Sequence, residues 1–130
     1  ETSIRIHRWL KKINLTNYIH LIDDNNTSFY LSAWLGGYKS QQDQSTVSIE
    51  FQNSTSHVIG NKITIGPVSP SDRNGKTGFL FRDTIGVIPV SSRWVVIAVQ
   101  MKKTKGDDND GYADNIHFEI RCNGWFPAKP

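Results

Sequence analysis

The residues able to do recognition chemistry fall in three polar stretches. Gly36–Gln44 holds Tyr38 and Asp43, and Gly66–Gly78 holds Asp72 and Arg73. Thr104–Gly111 holds Asp107, Asp108, Asn109 and Asp110, with Tyr112 and Asp114 just beyond. Carboxylates and amides hydrogen-bond hydroxyls, arginine offers a planar fork of donors, and aromatic rings offer apolar faces. With Trp34, the set Tyr38, Asp72, Arg73, Asp110 and Tyr112 has the chemistry to hold a polar, hydroxyl-rich ligand. Asp108, Asp110 and Asp114 could together with loop carbonyls hold calcium, which takes six to eight oxygens. The stretch is not an EF-hand loop, because Gly106 and His117 stand where its first and last acids should be.

Catalytic chemistry has no such constellation. No nucleophile triad, metalloprotease or phosphate-loop motif occurs. His7, His20, His57 and His117 are scattered, and Cys122, the single cysteine, cannot build a zinc site. The expectation is a protein that is not an enzyme by itself. Cys122 also cannot close a disulfide within these residues; it is either a buried thiol on a strand, or half of a bridge to another molecule or to a cysteine in further sequence. Asn14, Asn25, Asn26 and Asn53 sit in N-glycosylation patterns, with Asn53 the best acceptor because it lies in a polar turn.

The elements that must position these residues are strands. Alternation of period two dominates after Ser28. Phe29, Leu31, Ala33 and Leu35 share one face, with Tyr30, Ser32 and Trp34 on the other. Val47, Ile49 and Phe51 alternate with Ser48, Glu50 and Gln52; Ile59, Ile63 and Ile65 fall together, as do Phe79 and Phe81. Trp94–Lys102 is apolar on both faces until Gln100, which predicts a central strand. Ile116, Phe118, Ile120 and Cys122 read inward, against His117, Glu119 and Arg121 outward. Gly36-Gly37, Gly66-Pro67, Asn74-Gly75, Gly86 and Gly106 interrupt these runs. Ahead of them, Trp9–Leu15 could be a further strand. Thr16 can cap a short helix whose face is Leu15, Tyr18, Ile19 and Ile22. Six or seven short strands with turn signals between them predict an all-β antiparallel sandwich over residues 1–122, with 123–130 as an exit linker.

In such a sandwich successive loops alternate between its two ends. The three polar stretches then share one end, and long polar loops on a rigid scaffold are where binding concentrates. Asp114 has the parity of Ile116 and Phe118, so its carboxylate is expected on the core side. A buried carboxylate needs a partner, and two are available: Arg73, in an ion-pair lock, or calcium.

Composition sets the remaining bounds. With 130 residues, one domain is the default. The net charge of +3 is dispersed, with no continuous basic face, which argues against nucleic acid. The longest apolar run, Trp94–Val99, is far short of the roughly 20 residues of a membrane-spanning helix.

Three motifs stand together in the predicted loop end: Phe29-Tyr-Leu-Ser-Ala-Trp-Leu-Gly-Gly-Tyr38, Ile65-Gly-Pro-Val-Ser-Pro-Ser-Asp-Arg73 and Asn109-Asp-Gly-Tyr-Ala-Asp-Asn115. In this combination the chain resembles the galactose-binding-like, carbohydrate-binding-module jelly rolls of secreted and surface proteins, from about Trp9 to Ile120. The resemblance implies a jelly roll, secretion or cell-surface location, and glycan binding or adhesion. It also implies a structural calcium, with Asp114 matching the closing acid of the pattern. It departs at the front, where such modules carry further strands and an acidic residue before the position of Trp9. The expected function is therefore an extracellular binding module for a glycan. The alternative is a structural or protein-interaction module of a larger assembly, with a partner segment or chain completing the sheet.

Overall fold

The alternating runs become seven strands in a computed structural model, which describes residues 5–37, 44–103 and 112–122. The strands are β1 (Arg5–Asn14), β2 (Thr27–Gly37), β3 (Gln44–Gln52), β4 (Val58–Ile65), β5 (Gly78–Val87), β6 (Trp94–Lys103) and β7 (Tyr112–Cys122). They form two antiparallel sheets, a four-stranded one ordered β1-β6-β3-β4 and a three-stranded one ordered β5-β2-β7. Only β3 and β4 follow each other within one sheet; every other consecutive pair crosses between sheets. That connectivity is of jelly-roll type and confirms the all-β sandwich expected from period two. β6 lies between β1 and β3, as its two apolar faces require.

The core fills the space between the sheets. Phe29, Leu31, Ala33 and Leu35 of β2 face Val47, Ile49 and Phe51 of β3 and Val95, Ile97 and Val99 of β6, all buried. Phe29 is central: its ring lies 5.6 Å from Phe51 and 6.3 Å from Phe118. Gly86 of β5 pairs with Phe29, and a Cβ there would come within 2.7 Å of the Phe29 ring. β5 must therefore turn the Gly86 side inward.

At the end away from the polar loops the connections are tied together. Residues 15–26 form a 3-10 turn (Thr16–Tyr18) and a short helix α1 (Ile19–Asp23), from which Leu15 and Ile22 enter the core. The expected face is half right, because Tyr18 is exposed and Ile19 half-buried. Thr16 is not a cap but the first residue of the 3-10 turn, whose N-cap position is Leu15; the Asn14 Oδ1 accepts the Thr16 N–H at 2.7 Å and also the Thr16 hydroxyl. Asp23 then accepts from both terminal guanidinium nitrogens of Arg93, Nη2 at 2.7 Å and Nη1 at 3.1 Å, and from the Ser91 N–H at 3.0 Å. The Arg93 backbone completes the tie, its N–H donating to the Gln52 carbonyl and its carbonyl accepting from Leu15.

Candidate functional site: an aromatic face at the loop end

Strand register decides which chain segments meet. Gly37 of β2 pairs with Gly78 at the start of β5, and Gly36 pairs with Tyr112 at the start of β7. In the other sheet Gln44 pairs with Lys102 and Val47 with Ile65. The strand ends that bear all three polar stretches thus lie at one end of the sandwich. Tyr38, Asp108 and Asp110 themselves fall outside the described residues, and Tyr112 is placed as the backbone partner of Gly36.

The 66–77 connection is described. The Asp72 carboxylate accepts the Ser69 N–H at 3.0 Å, and that backbone bond, with the Ser69 hydroxyl, holds its pKa below the usual carboxylate value. Arg73, only 6% exposed, donates from Nη1 to the Lys76 carbonyl at 2.5 Å. Asp72 and Arg73 thus build the loop on which they sit.

The outer face of the β5-β2-β7 sheet carries the unexpected chemistry. Its side chains fall in rows across three strands. From the loop end, the second row is Phe81–Trp34–Asp114, the third Asp83–Ser32–His117 and the fourth Ile85–Tyr30–Glu119. Trp34 and Phe81 are each 41% exposed and Phe79 is 42% exposed. The Trp34 and Phe81 rings are 5.3 Å apart at 59°, so they form a corner instead of a flat plate. In the first row Gly36 carries no side chain, and a Cβ there would collide with the Gly78 carbonyl. Trp34, Phe79, Asp114 and Asn115 line an open cleft of ≈ 630 Å³.

Asp114 corrects the sequence expectation. Ser32 pairs with His117 but Trp34 with Asp114, so Ala33 alone stands against Asn115 and Ile116. This is a bulge, with Asn115 in the left-handed region at φ 51°. The extra residue reverses the phase of β7. Ala113, Ile116, Phe118 and Ile120 pack against the core, while Asp114 turns out beside Trp34 and is exposed. No buried lock with Arg73 is needed. As for calcium, no group of three or more His, Cys, Asp or Glu side chains able to hold a metal occurs among the described residues. Of the three expected ligands, Asp108 and Asp110 lie outside the described residues.

Further along the face, β7 contributes a polar ladder beside the exposed Ile85 and Val87 of β5. Arg121 Nε donates to Glu119 at 2.5 Å and its guanidinium lies 4.6 Å over the Tyr30 ring; His117 lies 3.8 Å from Glu119. Arg121 holds the Glu119 carboxyl below its ordinary pKa. The Tyr30 hydroxyl donates to Asp83 at 3.0 Å, and its pKa is raised, first by burial and then by that bond. Cys122 is half-buried with a free thiol, opposite Thr27. Asn53 Oδ1 accepts the N–H groups of Thr55 and His57 and the Thr55 hydroxyl. Asn14 holds Thr16 in the same way, and Asn26 is half-buried.

Phe79, Phe81 and Asn115 were not singled out from sequence as binding residues. The shared phase of the two phenylalanines was visible, but not that it faces outward.

The arrangement is that of an antiparallel β-sandwich with an exposed aromatic corner near the strand ends that bear the three polar stretches. No family model matches the chain, and no curated protein matches it. Among solved structures, it resembles the enzymatically active domain of tailspike protein 4 of bacteriophage CBA120, with a TM-score of 0.59 and 14% identity over 89% of this chain. It spans 14% of that protein's chain. A second similarity, to infectious bursal disease virus Gx strain, has a TM-score of 0.41 and 12% identity, covering 98% of this chain and 35% of that one. The tailspike likeness shows the sandwich fold.

Proposed function

We propose that this chain is an extracellular, non-catalytic module that binds carbohydrate on the aromatic corner of its three-stranded sheet. The row Phe81–Trp34–Asp114 carries the proposal: two rings and a carboxylate sit side by side, exposed, toward the strand ends that bear the three polar stretches. Sugar rings present apolar C–H faces and polar hydroxyl edges, so they match an aromatic wall beside a hydrogen-bond acceptor. Leaving such large rings in water is unfavourable, and clustered exposed aromatics mark binding sites. Asn115 adds an amide at the cleft rim. A glycan array on the folded chain and on Trp34→Ala tests the proposal. Binding to at least one glycan class, lost in the variant, is expected; an empty array for the parent chain overturns it.

One observation favours a second reading, a protein-interaction module. Nearer the other end of the same sheet, Ile85 and Val87 are 65% and 62% exposed, beside a groove of ≈ 400 Å³ lined with Thr27, Gly86 and Arg121. Aliphatic side chains lack the flat face that sugars use and suit a protein partner. Light scattering on the purified chain checks this for self-association: Ile85→Lys should dissolve any oligomer, and a monomer at high concentration counts against it.

A further inference from the structure

We infer that the aromatic corner selects sugars that carry a free, protonated amino group over neutral or acidic ones. This rests on the carbohydrate reading above and narrows its ligand class. The charge on the cleft wall comes from Asp114. Asp114 is exposed, directly opposite Trp34, and its Oδ1 accepts the Asn115 N–H at 2.8 Å. Among the described residues it makes no ion pair. On the same sheet face Arg121 is paired with Glu119, its Nε 2.5 Å from the carboxylate. Arg82, on the other phase of β5, donates to the Phe81 carbonyl. Asp114 therefore offers an acceptor charge that no described cation offsets.

The rings push in the same direction. The face of an aromatic ring carries negative potential and attracts cations, tryptophan most strongly. Trp34 and Phe81 meet at 59°, with Phe79 in the next row, and Trp34 and Phe79 line the cleft together with Asp114, so an ammonium group entering it has aromatic rings and the carboxylate within one cleft. A glucosamine-type unit satisfies every element: its C–H face packs on Trp34 and its ammonium donates to Asp114. Acetylation removes the charge and adds bulk at the same position. A uronic acid places a second carboxylate against Asp114, and like charges repel.

The test is titration calorimetry at mildly acidic pH, where the sugar amine is protonated. The ligands are glucosamine oligomers, N-acetylglucosamine oligomers of equal length and galacturonate oligomers, with the parent chain and Asp114→Asn. Asp114→Asn keeps the side-chain shape, and a melting curve matching the parent's confirms that it folds. The glucosamine oligomer is expected to bind about tenfold tighter than its acetylated counterpart, a preference that added salt weakens. In Asp114→Asn the preference should fall to about threefold, the share left to the rings. Equal affinities in the parent, or a preference that survives Asp114→Asn undiminished, overturn the inference and leave the carbohydrate reading standing. Failure of every oligomer, together with an empty glycan array, overturns both.

Discussion

Trp34 on β2 and Asp114 on β7 stand directly opposite each other on the outer face of the three-stranded sheet, although strict alternation along β7 would bury the carboxylate. The bulge at Asn115 causes this, by giving β7 one more residue than β2 over the same length. An ordinary ladder would have required Asp114 to find a cation or metal inside the sandwich. The bulge places it at the rim of an aromatic cleft.

Asp114→Ala should accordingly change stability by no more than about 0.5 kcal/mol, the usual range for exposed positions. Thermal melting of the variant checks this. A loss of several kcal/mol would mean that the carboxylate is buried and partnered after all.

The bulge itself is open to test at Asn115, whose φ of 51° suits asparagine and glycine and strains β-branched residues. Asn115→Gly should be nearly neutral, whereas Asn115→Val should cost about 1–2 kcal/mol. Denaturant titration of both variants gives the comparison. Equal stability of the two would show that β7 does not need the left-handed residue.

Exposed and buried aromatics should separate cleanly. Phe29→Ala empties the centre of the core and should cost about 3–5 kcal/mol. Phe81→Ala removes a ring that is 41% exposed and should cost about 1 kcal/mol while weakening glycan binding about tenfold or more. Calorimetric melting combined with binding titration resolves the two effects. A Phe81→Ala variant that binds as well as the parent would exclude the ring from the site.

Acid should loosen the end away from the loops. Hydrogen bonds from Arg93, then from the Ser91 N–H, lower the folded-state pKa of Asp23. A depressed carboxylate contributes stability that is present above its unfolded value, near 3.9, and lost as pH falls through the folded one. The pair is partly exposed, so the effect should be a modest drop in melting temperature below about pH 4. Asp23→Asn should lower the melting temperature at neutral pH and flatten its acid dependence. A variant whose acid profile overlays the parent's would assign the acid sensitivity to other carboxyls.

Period two was readable from side-chain type alone. Phe29, Leu31, Ala33 and Leu35, then Val47, Ile49 and Phe51, can bury their apolar faces together only as strands, which determined the sandwich and its central β6. The alternation of ends also followed from the sequence, because antiparallel neighbours must return. Tertiary structure alone decided which face each ambiguous strand presents. β5 has Phe79, Phe81, Ile85 and Val87 on one phase and Leu80, Arg82, Thr84 and Gly86 on the other, and hydrophobicity would bury the first set. The Phe29 ring excludes any side chain opposite it, so the Gly86 phase turns inward and the aromatic phase is exposed. β7 obeys the same logic in reverse, since one left-handed asparagine moves Asp114 from the expected core to the surface. Local pattern specifies that residues share a face; only the partner strand's steric demands and register specify whether that face meets the core or the ligand.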